Sequence, residues 1–116
     1  MDIYHAHFDL KAGVKDMDFA RDFARWMEHL KSRGLIEGWR LTRRKFGFGP
    51  EALREFHAMM EVKDLAQLDA AFQHVAARGE PAESAHFAVN SKVANAFFAL
   101  TRDFPDAVRR EGEEKF

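Results

Sequence analysis

Three histidines are the residues of this sequence best suited to chemistry. His5 and His7 occur two positions apart in MDIYHAHFDL, and His57 occurs in REFHAMMEV. Side chains two apart on a β-strand point to the same face, so an imidazole from a neighbouring strand could complete a cluster. Imidazole titrates at about pH 6.5, which suits such a cluster to giving protons to a bound molecule and taking them from it. We predict His5, His7 and His57 as catalytic residues.

The sequence leaves the chemistry of these histidines open. Three imidazole nitrogens at about 2.0 to 2.1 Å could hold one divalent metal ion, and carboxylates such as Asp9 and Glu55 are predicted on the same face. The histidines could instead exchange protons with a bound molecule, or only form hydrogen bonds inside a dimer interface. Whether a metal is bound is therefore unknown from the sequence, and we expect no cofactor.

A basic stretch, RLTRRK, is predicted to lie on the strand beside the histidines. If Trp39 and Leu41 face the helices, Arg40 and Arg44 share the face of the histidines, and their guanidinium groups would favour an anionic ligand. The alternative is that these cations protect the edge of a sheet from aberrant pairing. The segment that contains His86 could cover such a cavity. The residues predicted to contact a ligand are Arg40, Arg44, Met59 and His86.

Apolar periodicity predicts the elements that position these side chains. Alternation of apolar and polar residues predicts four strands, over Asp2–Leu10, Leu35–Phe46, Arg54–Val62 and residues 93–101. Apolar residues recurring every three and four positions predict two main helices, one beginning at Asp16 and ending before Gly34, the other beginning at Asp64 and ending before Gly79. Pro81 suits the first turn of a short extra helix that continues to about Lys92.

Local signals place the helix ends. Asp16 is expected to cap the first helix, and Gly34 fits the left-handed residue after it. Asp64 and Gln67 have the spacing of a capping box at the start of the second helix. Each helix should then present an apolar stripe to the sheet: Phe19, Phe23, Trp26, Met27 and Leu30 in the first, and Leu65, Leu68, Phe72 and Val75 in the second.

This order of elements, βαββαβ, predicts an α+β domain of ferredoxin-like architecture. Such a domain has a four-stranded antiparallel sheet, in spatial order 4-1-3-2, with both main helices on one face. Tyr4, Phe8, Phe56 and Met60 would pack under the helices, and the histidines would project from the open face. We predict residues 1–102 as this domain, including the extra helix before the last strand, and residues 103–116 as a charged tail.

The last predicted strand is apolar on both faces, with Ala94, Ala96, Phe98 and Leu100 on one and Val93, Phe97 and Ala99 on the other. A sheet with one face in water should alternate more cleanly than this. A second copy of the chain would cover the open face, because large exposed apolar patches usually mark interfaces. We therefore expect a homodimer.

The overall composition excludes several classes of partner. The 116 residues include 18 basic and 19 acidic side chains, so no global field draws the chain to nucleic acid or to an anionic membrane. The chain contains no cysteine, which excludes disulfides and thiolate chemistry. Its first residues show no basic run followed by an apolar stretch, and no segment has about 18 consecutive apolar residues, so we expect a cytoplasmic protein without nucleic-acid or membrane partners.

On its element order, the chain resembles the dimeric α/β-barrel group of the ferredoxin-like superfamily, in which two such sheets pack face to face. That group includes small monooxygenases, muconolactone-isomerase-like proteins, haem-dependent dismutases and many members without known activity. The stretches MDIYHAHFDLK, LIEGWRLTRRKFGFGP and AVNSKV are also similar to a family of small uncharacterised bacterial proteins. This narrower resemblance covers nearly the whole chain, and it implies no catalytic residue.

Together, these features predict a dimeric α/β barrel that binds a small organic molecule in a histidine-containing cavity. An anion is favoured if the arginines face that cavity. The reaction expected there is that of a cofactor-independent monooxygenase or an isomerase. The alternative is a binding or interaction module without catalysis, in which the covered face serves only to dimerise. The sequence leaves open whether the protein is an enzyme.

Overall fold

The computed structural model describes residues 1–47, 49–50 and 53–113. The strands in this part of the chain are β1 (Asp2–Leu10), β2 (Gly38–Arg43), β3 (Phe56–Val62) and β4 (Val93–Arg102). The helices are α1 (Asp16–Ser32), α2 (Leu65–Ala76) and α3 (Ala82–Asn90). The strands form one antiparallel sheet in the order β2-β3-β1-β4. The predicted ferredoxin-like α+β fold is confirmed, and within one chain the sheet is not closed.

The core lies between one face of the sheet and the helices. Strands β1 and β3 contribute every second residue to the core, and α1 contributes its predicted apolar stripe. The apolar face of the sheet therefore packs against the apolar face of the helix. The side chains of Phe19, Met27 and Val62 are the largest that are fully buried. The other buried members from β1, β3 and α1 are Ala6, Phe8, Phe56, Ala58, Phe23, Trp26 and Leu30.

Two of the predicted helix ends differ from the structure. Asp16 is the first residue of α1 rather than its cap, and its carboxylate accepts a hydrogen bond from Arg43 at 2.8 Å. Helix α2 ends at Ala76, earlier than the predicted stop at Gly79, and Arg78 after it takes the left-handed conformation (φ 54°). Gly34 (φ 70°) follows α1 as predicted.

The start of α2 is capped by Asp64, whose carboxylate accepts a hydrogen bond from the backbone N–H of Gln67 at 2.9 Å. The Gln67 side chain completes the arrangement differently from a capping box, because it accepts from the backbone N–H of Lys63 at 2.7 Å. Both bonds satisfy donors where the chain enters the helix, so they fix the start of α2 against the end of β3.

Removing this cap should lower stability by a measurable amount. We expect Asp64→Ala to reduce the free energy of unfolding by about 1 kcal/mol, because a helix N–H then loses its acceptor. Urea unfolding followed by circular dichroism measures the change. Asp69→Ala, an exposed site on the same helix, is the matched control and should leave the midpoint nearly unchanged. Equal midpoints for the two variants would contradict the assigned role of Asp64.

The predicted apolar stripe of α2 is only partly correct. Leu68 and Ala71 are its buried residues, whereas Leu65 and Phe72 are 50% and 47% exposed. The small Ala71 faces the sheet, and Phe72 lies at the margin with its ring edge-on to Tyr4 at 5.5 Å. Phe72 is therefore not the core residue that its spacing predicts.

A β-bulge changes the faces of β4. Asn95 has φ 55°, and the register moves from His7 opposite Phe97 to Asp9 opposite Ala94. Asparagine tolerates the left-handed conformation, and its side chain donates to the Asp9 carboxylate at 3.2 Å. The bulge overturns the predicted grouping, because Ala94 lies on the open face and Val93 packs against the core.

The two ends of the domain are joined by an ion pair. The buried Asp2 carboxylate accepts hydrogen bonds from Arg102 at 2.6 and 3.1 Å, which lower the pKa of Asp2. The N-terminal amino group lies 3.4 Å from the Asp103 carboxylate. Of the predicted tail, residues 103–113 are described and residues 114–116 lie outside the described part. No described helix is long and apolar enough to cross a lipid bilayer.

Candidate functional site

The structure places the three predicted histidines together on the open face of the sheet. His7 is directly opposite His57 in the register of β1 and β3, and their ring centroids are 4.1 Å apart with nearly parallel planes. His5 lies in the next row, opposite Met59. On its other side, His7 stacks on Phe97 of β4 at 4.8 Å. A continuous aromatic row therefore crosses three strands.

A hydrogen-bonded chain runs diagonally across the same strands. Nδ1 of His5 and Nε2 of His57 are 2.9 Å apart, and Nε2 of His5 is 2.8 Å from the hydroxyl oxygen of Thr101. A neutral imidazole has one donor and one acceptor nitrogen, and a hydroxyl can serve as either. These two hydrogen bonds can therefore have two proton arrangements, in which every donor and acceptor exchanges its role. The sequence analysis did not single out Thr101, because its place beside His5 depends on the register of β4.

This geometry does not favour the metal alternative. The centroids of His5 and His57 are 5.1 Å apart, as expected for two rings that extend straight back from nitrogens facing each other at 2.9 Å. Those nitrogens are engaged with each other, and His7 stacks parallel to His57, so their lone pairs do not converge on one point. Among the described residues, no three His, Cys, Asp or Glu side chains are placed to hold a metal ion.

The electrostatic environment favours the neutral form of two of these histidines. Burial lowers the pKa of His57, and the nearby His7 and His5 lower it further. Burial and His5 likewise lower the pKa of His7. Neutral imidazoles are able to accept protons, which is the property that acid–base chemistry on this face would need.

Depressed histidine pKa values predict that acid destabilises the fold. The unfolded chain, with histidine pKa values of about 6.5, binds more protons than the folded chain. The free energy of unfolding should therefore fall as the pH is lowered from about 6.5 through the lowered folded pKa values. Urea unfolding of the wild type and of His57→Gln across this range measures the effect, and the variant should show a shallower decline. Identical pH dependence in the two proteins would contradict the assignment.

A cleft lies at one end of this face, with a volume of about 320 Å³. His7 and His57 form one wall, and Arg44 lies in the other. The Arg44 guanidinium also donates to the carbonyl oxygen of Leu53 at 2.7 Å, so part of its donor capacity is used within the loop. Further residues lining the cleft are Thr42, Arg43, Phe46, Arg54 and Glu55.

The other predicted ligand residues are distributed over both sides of the sheet. Arg40 is exposed and lies opposite Met59, one row from the His7 and His57 pair. His86 is on α3, with its ring 5.4 Å from that of Trp26, and it faces the space between the helices and the sheet. The sheet therefore separates His86 from the other predicted residues, and His86 does not cover the open face.

A second, apolar cavity of about 250 Å³ lies on the helix side of the sheet. No charged side chain is among its described lining residues, and the lining side chains with polar atoms are those of Tyr4, Trp26, His86 and Asn90. Burial lowers the pKa of His86, which favours its neutral form. Aromatic lining residues include Phe8, Phe23, Trp26, Phe72 and Phe98.

The sequence analysis missed this cavity, although one signal for it was present. Ala6 and Ala71 occupy core-facing positions where larger apolar residues would fill the space, and both line the cavity. Small residues at such positions leave a cavity only if the residues facing them are also too small to fill the space. Which residues face Ala6 and Ala71 depends on how α2 packs on the sheet, and the sequence does not give this.

The fold and these two cavities define a ferredoxin-like α+β protein with space for a small molecule on either side of its sheet. The chain belongs to DUF6614, a family of unknown function, whose model matches residues 1–116. No curated protein is significantly similar to the chain.

Several solved structures share the fold. SnoaB, a cofactor-independent oxygenase from Streptomyces nogalater, matches with a TM-score of 0.66 at 11% identity, over 93% of this chain and 97% of that chain. An antibiotic biosynthesis monooxygenase matches with a TM-score of 0.63 at 18% identity, over 90% of this chain and 100% of that chain. A dimeric ferredoxin-like protein of unknown function from Bacteroides fragilis matches with a TM-score of 0.59 at 11% identity, over 88% of this chain and 95% of that chain. At these identities, the likeness shows the fold alone.

Proposed function

We propose that this chain binds a small, uncharged organic molecule in the apolar cavity beside His86. The observation that carries the proposal is a partly enclosed space of about 250 Å³ lined by aromatic and aliphatic side chains with few polar groups. Small-molecule sites commonly have this character: apolar walls hold the ligand, and a few polar groups orient it. The lack of cationic groups among the described lining residues favours an uncharged ligand here.

The same proposal includes a homodimer. Phe97 is 36% exposed on the open face of one chain, next to His7 and on the same side as Ala94 and Ala99. A second sheet packed on this face would remove the apolar area from water and complete an α/β barrel that one chain leaves open. The dimeric Bacteroides fragilis protein of the same fold supports this arrangement.

The reaction that we propose for the cavity begins with proton transfer. A neutral imidazole at His86 can accept a proton from a carbon acid bound against the aromatic walls. Proton removal is a first step that an isomerisation and a cofactor-independent oxygenation can share. The description of SnoaB as a cofactor-independent oxygenase supports the second of these reactions. The alternative is a dimeric binding module, in which the cavity holds a ligand without changing it.

A second candidate site is the cleft on the open face, where a small anion would contact Arg44. The hydrogen bonds that link Thr101, His5 and His57 support this site, because a proton can move along them across the sheet to the wall of the cleft. His5, His7 and His57 would act as catalytic residues at this site, and Arg40 and Met59 would extend it along the face.

Two probes distinguish the sites. Indole is a neutral aromatic molecule suited to the apolar cavity, and benzoate is an anion suited to the cleft. We expect saturable indole-induced NMR shifts at Met27, Trp26 and Val89, which line the cavity. Benzoate shifts at His7 and His57, with no indole binding, would overturn the apolar site in favour of the cleft. Failure of both probes to saturate would overturn small-molecule binding at either position.

A further inference from the structure

Two histidines that the sequence analysis did not single out join α1 to α2. Nε2 of His29 and Nε2 of His74 are 2.9 Å apart, and their ring centroids are separated by 5.1 Å. As for His5 and His57, these values describe two rings that meet nitrogen to nitrogen. One ring therefore donates and the other accepts. The pair lies beside the apolar cavity, because Trp26, on which His29 stacks at 5.6 Å, lines that cavity.

Helix α2 forms one wall of the cavity but has few buried anchors. Of its side chains, only those of Leu68 and Ala71 are buried. One other hydrogen bond connects α2 to the segment after α1, from the Gln67 side chain to the carbonyl oxygen of Gly34 at 3.0 Å. The lining residues that α2 supplies are Leu68, Ala71, Phe72 and Val75. The imidazole pair therefore attaches the C-terminal half of α2, a weakly buried wall of the cavity, to α1.

We propose that the His29–His74 pair is a pH-sensitive latch that holds α2 over the apolar cavity and releases it when both rings are protonated. The inference that this latch controls ligand entry rests on the proposed function of the cavity. The latch itself depends only on the contact between the two helices.

The hydrogen-bonding capacity of imidazole determines how many protons the latch must bind before it opens. A single added proton leaves one N–H donor and one acceptor nitrogen between the rings, so the bond remains and becomes charge-assisted. A second proton places two N–H groups head to head and two positive charges at the same contact. The bond is then lost, and repulsion replaces it.

The surrounding groups keep the latch closed near neutral pH. Burial lowers the pKa of His29, and the charges of His74 and Arg33 lower it further. The stacked Trp26 ring is uncharged. On α3, His86 lies against Trp26, and its own nearby charge is Glu83. Release is therefore expected on the acid side of the ordinary histidine pKa.

Amide hydrogen exchange tests the latch without any ligand. On lowering the pH from about 7.5 to 5.5, we expect protection factors in α2 of the wild type to fall by about tenfold or more, whereas those in α1 should change little. In His74→Gln the second residue cannot become charged, so α2 should keep its protection. Gln73→Ala, at an exposed position next to His74 and outside the cavity lining, is the matched control and should respond as the wild type does.

Nile red, a neutral apolar dye, tests the consequence for the cavity. Its binding should become faster at the lower pH in the wild type and in Gln73→Ala, but not in His74→Gln. Equal α2 protection at both pH values, or a pH response that is retained in His74→Gln, would overturn the latch. Opening of α2 without any dye binding would leave the latch standing and count against the ligand-binding function of the cavity.

Discussion

Replacing Phe97 by glutamate is expected to separate the proposed homodimer into single chains. Phe97 lies near the middle of β4 on the open face, stacked on His7. Packing a second sheet on this position would bury the new carboxylate beside His7, an imidazole whose lowered pKa favours its neutral form, so the buried charge would be uncompensated, which is strongly unfavourable. We expect the dissociation constant of the dimer to rise by about a hundredfold or more, which corresponds to roughly 2.8 kcal/mol. Sedimentation equilibrium measures the change.

The control for this experiment is another exposed phenylalanine. Phe87 is 65% exposed on α3, in the helix layer rather than on the open face. Phe87→Glu should leave the dimer intact. Ala99→Arg, a second variant on the open face, should separate the chains even if Phe97→Glu fails to fold. A folded Phe97→Glu protein that remains dimeric would show that the open face is not the interface.

Filling the apolar cavity is expected to abolish ligand binding there. Ala71 is buried on α2 and lines the cavity, so Ala71→Phe places a phenyl ring in the space proposed for the ligand. We expect the affinity for indole to fall by more than about tenfold, a loss of at least roughly 1.4 kcal/mol. Because the ring enters existing space, the free energy of unfolding should fall by no more than about 1 kcal/mol. Isothermal titration and urea unfolding measure the two quantities.

Ala70→Phe is the matched control, since Ala70 precedes Ala71 on the same helix but is exposed and does not line the cavity. It adds the same ring to the same helix, and indole affinity should stay at the wild-type value. If Ala71→Phe binds indole as well as Ala70→Phe does, the ligand site lies elsewhere.

The sequence predicted those parts of the fold that depend on local periodicity. Alternation along β1 and β3 correctly assigned the histidines to one face and Phe8 and Phe56 to the other, because a strand allows only these two directions. The α1 stripe was equally reliable. In β4, two-residue alternation failed at Asn95, because a bulge inserts one residue and reverses the faces beyond it.

Long-range packing determined the features that the sequence could not predict. Thr101 meets His5 only through the register of two strands that are distant in the chain. His29 and His74 form a pair only because the fold brings the later turns of α1 and α2 together. The position of His86 on the helix side of the sheet could not be predicted for the same reason, since the direction of a helix after a turn is set by the core that it packs against.

Crystals of the protein under xenon pressure test the central claim most directly, because xenon binds in apolar cavities that are accessible and dry. We predict a xenon atom in each chain between the sheet and the helices, close to Met27 and Phe98, and its absence from crystals of Ala71→Phe. If xenon binds elsewhere in the wild type but not in this space, the cavity is closed or already filled, and the proposed ligand site is wrong.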